Sequence, residues 1–150
     1  MIPPKRLVTK KLGELLVERK AITAAQLEQA LSIQQEKGGL LGQILVGLGY
    51  TTEETIAQAL TTQYGFPYLP LKNYTIDEET LKLIPANVAR QYCLVPVDRL
   101  GDTLTIAMAD PFNRKAVEDI ELLHHCAAQI FVSTPTDIFD AIERHYRKGA

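Results

Sequence analysis

The sequence predicts an α+β protein: an N-terminal four-helix unit built from two helical-hairpin repeats, then a small three-stranded sheet covered by helices. Three observations predict it. Residues 11–34 and 40–63 match each other at a constant offset of 29 positions (Leu12 to Leu41), and self-similarity of this kind marks a repeated helical unit that cannot bury its apolar face alone. Beyond Pro67 helical spacing gives way to short strand-like runs, LVPVD at 94–98 and TLTIAM at 103–108, with Gly101-Asp102 between them. Finally, 150 residues, 46% hydrophobic and 23% charged, make a globular chain with room for one ordinary domain or two small ones. The expected division is a tandem helical repeat over 1–65, a linker over 66–74 and a small α/β subdomain over 75–150.

Within the repeat, Leu12, Gly13, Leu15, Leu16 and Val17 recur as Leu41, Gly42, Ile44, Leu45 and Val46. Thr23, Leu27, Gln29, Ala30, Leu31 and Gln34 recur as Thr52, Ile56, Gln58, Ala59, Leu60 and Gln63. Leu12, Leu15 and Leu16 fall at helical spacing, so 12–20 is expected as a short helix. Thr23 with Gln26 three positions on is a capping-box pattern. It opens a second helix with Leu27, Leu31 and Gln34 on one face, ended by Gly38-Gly39, where glycine accepts the left-handed conformation. The second copy runs the same way: a helix over 41–48, a break at Gly49, and a helix from Thr51 or Thr52 to Tyr64, stopped by Gly65 and Pro67.

Two prolines and few helix formers make 66–74 a linker or an extended segment. Thr75 and Glu78 mark a helix start that runs to Ile84, and Pro85 suits the first turn of a further short helix to about Tyr92. Because Pro96 cannot donate to a ladder, its strand belongs at a sheet edge. Asp110-Pro111 is a turn, 114–125 a helix and 129–132 a third strand. Thr134, Pro135 and Asp137 are the cap, first-turn proline and first-turn acid of a last helix to about Tyr146. If the last two strands are parallel, their crossover should be right-handed.

Packing accounts for repeated leucines but less readily for a repeated Gly and a repeated Gln; a tandem repeat also suits a ligand, or a partner surface, with two equivalent halves. Net charge of −2 argues against general affinity for nucleic acid or anionic membranes, and Lys5, Arg6, Lys10 and Lys11 read as a solvated basic arm. No apolar run approaches the roughly 20 residues that span a bilayer, and no signal-peptide core opens the chain. Cys93 and Cys126 form no CxxC pair and imply no disulfide framework, so the cytoplasm is the expected compartment. There is no GxxxxGK[ST] for a nucleotide phosphate. His124-His125-Cys126 resembles a metal site, but adjacent side chains diverge on a helix and no further ligand stands at a suitable spacing. His145 reads as a charge complement to a helix end. Glu53-Glu54 and Asp77-Glu78-Glu79 read as solvated first-turn acids. Neither a catalytic constellation, a cofactor nor a metal is expected, so the segment does not read as an enzyme.

At the repeated LG…LL…L…L…Q residues the chain resembles the MshEN domain, the N-terminal domain of ATPases of type II secretion and type IV pilus assembly. Its motif is two copies of roughly RLGxxLLxxGLLxxxxLxxxLxxQ separated by five residues, here 35–39. GFPYLPL at 65–71, IPANVARQYCLVPV at 84–97 and ADPFN at 109–113 extend the likeness over nearly the whole chain. The resemblance implies a regulatory or docking domain that couples a motor domain to an inner-membrane assembly-platform protein, in the cytoplasm at the inner face of that membrane, without inserting in it. Uncovered apolar faces of the repeat, or the sheet edge at Pro96, are the expected contact surfaces. The resemblance also implies cyclic di-GMP, a twofold-symmetric dinucleotide, as a regulatory ligand spanning both copies. Carried over by position, its site is Lys11, Leu12, Gly13, Leu16, Val17, Leu27, Leu31 and Gln34, with Leu40, Leu41, Gly42, Leu45, Val46, Gly49, Ile56, Leu60 and Gln63. Glycines would admit a close backbone approach, leucines cover guanine faces and glutamines supply amides. The chain departs from the motif where its leading Arg is Lys11 and Leu40 and its later Gly is Lys20. Lysine offers a point charge, and leucine nothing, in place of a planar guanidinium fork.

Overall fold

The computed structural model describes residues 12–146; Lys11 and the basic positions Lys5, Arg6 and Lys10 lie outside the described residues. The repeat forms α1 (Leu12–Glu18), α2 (Ala24–Lys37), α3 (Leu41–Gly47) and α4 (Glu53–Tyr64). The expected capping box is present at α2: Gln26 N donates to Thr23 Oγ1 at 3.1 Å and Thr23 N to Gln26 Oε1 at 2.9 Å. Thr52 caps α4 in the same way, accepting from Thr55 N at 3.1 Å. Leu15, Leu16, Ala30, Leu45 and Leu60 are wholly buried between the hairpins, each leucine contributing about 1.5–3 kcal/mol by its removal from water.

The two copies are related by more than sequence. A methyl group added at Gly13 would stand 2.5 Å from Leu27 Cδ1 and 3.2 Å from Leu41 Cδ2. One added at Gly42 would stand 3.5 Å from Ile56 Cδ1 and 3.4 Å from Leu12 Cδ2. Shifting either set of contacts by one repeat produces the other. Such reciprocity defines a twofold relation, here a local axis between α1 and α3.

After the repeat come α5 (Glu78–Leu81), α6 (Ala86–Tyr92), β1 (Leu94–Leu100), β2 (Thr103–Met108), α7 (Arg114–His124), β3 (Ala127–Val132) and α8 (Pro135–Tyr146). The sheet order is β1-β2-β3, with β1 antiparallel and β3 parallel to β2. β1 runs two residues beyond the expected end at Asp98, because pairing of Arg99 with Leu104 and Leu100 with Thr103 continues to the turn. β3 begins two residues before Gln129. Pro96 does sit on the edge strand, beside a register shift between Pro96 and Asp98. As a contact surface, however, that edge is closed: Pro96 is buried and α5 lies against β1.

The 66–74 stretch takes the extended form. Tyr68 bridges Val132 in parallel, Leu69 N donates to Val132 O at 2.9 Å and Val132 N to Pro67 O at 2.8 Å. Ser133 Oγ adds a bond to Leu69 O at 2.6 Å. The free edge of β3 is thereby covered, and wholly buried Leu71 anchors the segment in the second core. That core gathers Ile84, Leu94, Leu104, Ile106, Met108, Ile138 and Ile142 between the sheet and its helices.

The end of α8 ties down the chain between Leu71 and Ile84 through three successive residues. Arg144 Nη2 donates to Leu71 O at 2.9 Å and Nη1 to Tyr74 O at 3.3 Å. Tyr146 OH donates to Ile84 O at 2.8 Å, and burial pushes its phenol up to about 12, so it stays a donor at physiological pH. His145 departs from expectation: its Nε2 accepts from Ile76 N at 3.0 Å, which requires an unprotonated Nε2. Nδ1 therefore carries the proton and donates to Ala141 O at 2.9 Å. The ring is a neutral link between segments and not a charge facing the helix dipole.

Candidate functional site

The repeat conserves its backbone between copies even where the residue changes. Lys20, at the position of the later motif Gly, has φ +64°, and Gly49 in the second copy has φ +81°. An L-residue in the left-handed region costs about 1–2 kcal/mol, partly offset because glycine loses about 0.5–1 kcal/mol more entropy on folding. Lys20→Gly should therefore raise stability by about 0.5–1 kcal/mol, read as a higher urea midpoint at unchanged slope. A lower midpoint would mean that the lysine side chain contributes more than its backbone strain removes.

The expected site residues divide into three groups. Leu16, Leu45 and Leu60 are wholly buried and Leu12 and Ile56 nearly so; their side chains are core. Gly13 lies buried under Leu27 and Leu41, while Val17, Leu27, Leu41 and Val46 pack half-buried on the same core. Leu31, Gln34 and Gln63 reach solvent. Gln34 Nε2 donates to Gly39 O at 3.0 Å, and Gln63 Oε1 accepts from Arg19 Nη1 at 3.2 Å, so the two glutamines are held by different neighbours. Leu40, where the motif has its second Arg, packs against the core of the α/β half. The copies thus differ in exposure: Leu31 is 43% exposed and its counterpart Leu60 is covered completely.

The α/β half packs against the second copy. Val132 of β3 belongs to the repeat's core. The Phe112 ring meets Tyr64 edge-on at 5.3 Å and Phe66 at 6.1 Å. Glu53, expected as a solvated acid, instead clasps the first turn of α8, accepting from Thr136 N at 3.1 Å and Thr136 Oγ1 at 2.8 Å. Between the halves runs a narrow cleft of about 30 Å3. Leu12, Leu40, Leu41, Gly42, Val46 and Ile56 line one wall, and Tyr92, Asp110, Ser133 and Thr134 the other. A space of that size holds water but not a nucleobase.

Asp110 is the residue in the cleft wall whose importance the sequence did not disclose, since Asp-Pro reads only as a turn. The residue is half-buried, but its carboxyl is surrounded by protein. Burial raises its pKa above 3.8, partly opposed by the bond from Phe112 N to Oδ1 at 3.0 Å. A carboxyl whose native pKa stands above its unfolded value binds its proton more tightly when folded. Its burden on stability is therefore absent below 3.8, grows as pH rises, and is complete once the raised native value is passed. Asp110→Asn, whose Oδ1 can still accept from Phe112 N, is expected to melt above the parent at pH 7 and to lose that advantage below about pH 4. A parent more stable than the variant at neutral pH would show that the charge has a compensating partner.

The Cys93 thiol is pushed up to about 12, by burial first and then by the charge of Glu53, which suppresses the thiolate. His124 Nε2 is occupied as a donor to Leu83 O. The arrangement offers a twofold-related apolar face with amides at its margin, its two copies unequally exposed from position to position.

Comparison with known proteins places the chain in context. Residues 64–150 match the model of the MshEN domain, that is, the α/β half and the last residue of α4, without the tandem repeat. Over 136 residues the chain is 38% identical to the type IV pilus assembly ATPase PilB of Myxococcus xanthus, covering 91% of this chain and 24% of PilB. The chain thus spans about a quarter of that relative's length. The structure of MshE with cdg superposes with a TM-score of 0.67 at 33% identity, over 91% of this chain and 99% of that one. The N-terminal domain of XpsE superposes with a TM-score of 0.72 at 23% identity over 96% and 97%, a likeness of fold.

Proposed function

The chain belongs to the MshEN domain family, and from that membership we infer that it is the regulatory and docking domain of a type IV pilus or type II secretion ATPase, coupling the motor to an inner-membrane assembly-platform protein. The observation that supports docking lies at one end of the α/β half. Leu100, Leu122 and Leu123 are 79%, 75% and 66% exposed, and Arg99 Nη2 donates to His124 O at 3.3 Å, bringing the end of the β1–β2 hairpin to the end of α7. Large apolar side chains gathered there suit a protein contact. In a pull-down against cytoplasmic segments of platform proteins, Leu122→Asp with Leu123→Asp should abolish capture while leaving the melting temperature unchanged. Undiminished capture by the double variant would remove this surface from the reading.

A second reading, a cyclic di-GMP receptor, is favoured by the local twofold axis, which matches the symmetry of the dinucleotide, and by the MshE structure with cdg. Leu27, Leu31 and Gln34 supply one half-site, and Leu41, Gly42, Ile56 and Gln63 the other. Calorimetric titration should give one dinucleotide per chain, with Gln34→Ala and Gln63→Ala each weakening it by about two- to tenfold, the range of one hydrogen bond. Absence of heat up to high micromolar ligand would leave the repeat as a helical docking unit.

A further inference from the structure

We propose that Arg19 is a further ligand-binding residue of the repeat, its guanidinium reading the acceptor edge of one guanine beside Gln63. The proposal rests on the cyclic di-GMP reading and names a residue that gives the site its base specificity. The motif arginines are missing from their own positions, which hold Lys11 and Leu40. A guanidinium nonetheless stands at the margin of the repeat. Arg19 Nη1 donates to Gln63 Oε1 at 3.2 Å, joining the end of the first copy's α1 to the end of the second copy's α4. Among the described residues Arg19 has no carboxylate partner, whereas Arg90, Arg114 and Arg144 each pair with one. The amide of Gln63 is its one side-chain partner among those residues, so most of its N–H groups are uncommitted.

The bond also fixes the direction of the amide. A guanidinium has donors and no acceptor, so Gln63 must turn its oxygen to Arg19 and leave its Nε2 free. Gln34 is held the opposite way: its Nε2 donates to Gly39 O at 3.0 Å, which leaves its oxygen free. One half-site therefore offers an edge of donors, from Gln63 Nε2 and the remaining N–H groups of Arg19, and the other offers an acceptor. Guanine carries both complements, with acceptors O6 and N7 on one edge and the N2 amino donor on another. Adenine puts its N6 amino group where guanine has O6, so a donor would face a donor and the wrong base is disfavoured. The planar fork of arginine matches the O6/N7 pair, as lysine's point charge does not. Only one guanine is read in this way, because position 19 recurs as Leu48, which packs on the repeat's core.

The test is calorimetry with two ligands, cyclic di-GMP and its 7-deaza analogue, in which N7 becomes C–H. Each is titrated into the parent chain, Arg19→Ala, Gln63→Ala and the double variant. Lys72→Ala removes an equal charge from an exposed position in the other half and serves as the control. Arg19 is exposed, so Arg19→Ala should melt with the parent. It should bind cyclic di-GMP about five- to hundredfold more weakly, the range of one bidentate contact to a base, while Lys72→Ala binds as the parent does. The parent should prefer cyclic di-GMP to the analogue, and Arg19→Ala should bind the two alike. The double variant should bind more weakly than Gln63→Ala, because the guanidinium touches the base itself. Equal affinity of Gln63→Ala and the double variant would reduce Arg19 to a support for the amide and overturn the proposal. So would parental affinity in Arg19→Ala, equal losses from Arg19→Ala and Lys72→Ala, or an undiminished preference over the analogue; each leaves the receptor reading standing. No heat from the parent up to high micromolar cyclic di-GMP overturns the receptor reading, and the role of Arg19 with it.

Discussion

Leu60→Ala is expected to lower stability by about 2–5 kcal/mol, whereas the same substitution at its repeat mate, Leu31→Ala, should cost under about 1 kcal/mol. Leu60 is wholly enclosed with Leu16 and Leu45, so truncation removes its transfer energy and leaves a cavity that rigid neighbours fill only in part. Leu31 keeps 43% of its surface in water and leaves no cavity. Urea unfolding of both variants measures the contrast. Calorimetry with cyclic di-GMP supplies its complement, since Leu31→Ala should lose affinity while losing little stability. Equal costs at the two positions would mean that both copies bury the same face.

The second large effect is expected at Arg144. Its guanidinium joins Leu71 O, Tyr74 O and, through Nε at 2.9 Å, Asp140. Arg144→Met preserves the aliphatic stem but removes a charged donor from two partly buried carbonyls, a loss of about 1.5–3 kcal/mol. Because these bonds fasten one segment, the change should appear first as local opening. The Ile76 amide, which donates to His145 Nε2, should exchange its hydrogen faster by a larger factor than the amide of Ile106 in the central strand. Uniform acceleration at both amides would show that Arg144 stabilises the whole α/β half and not the 71–76 stretch in particular.

The parts of this fold that could be read in the sequence are those fixed within a few residues. Thr23 and Gln26 satisfy each other's backbone groups wherever the helix lies, and Pro96 lacks its N–H in any environment, so cap and edge strand were both legible. The repeat was legible because an offset needs no three-dimensional information. Glu53 and Thr136 are 83 positions apart and His145 and Ile76 are 69 apart; neither residue of either pair carries a local signal of the other. The acid at Glu53 suits a first helical turn equally well when solvated, and a histidine at a helix end suits the dipole until a backbone N–H occupies its ring. The same limit applies to the site. Position within the repeat identified the candidates, but Leu31 and Leu60 are indistinguishable by sequence, and only tertiary packing separates them.

The reciprocal contacts Gly13–Leu41 and Gly42–Leu12 are those of a homodimer whose subunits happen to be joined. Two separate hairpins would meet at a rate and extent set by their concentration; the short connection 38–40 holds them at an effective concentration of about the millimolar range, so the pairing survives dilution. Covalent joining also breaks an obligation. In a true dimer every substitution appears twice, and a surface recruited on one subunit is recruited on both. In the fused pair position 40 could become a leucine that packs on the α/β core, while its counterpart in the sequence is Lys11. Duplication followed by fusion thus lets two nearly identical copies take different neighbours, so that Leu31 keeps 43% of its surface in water while Leu60 is covered completely.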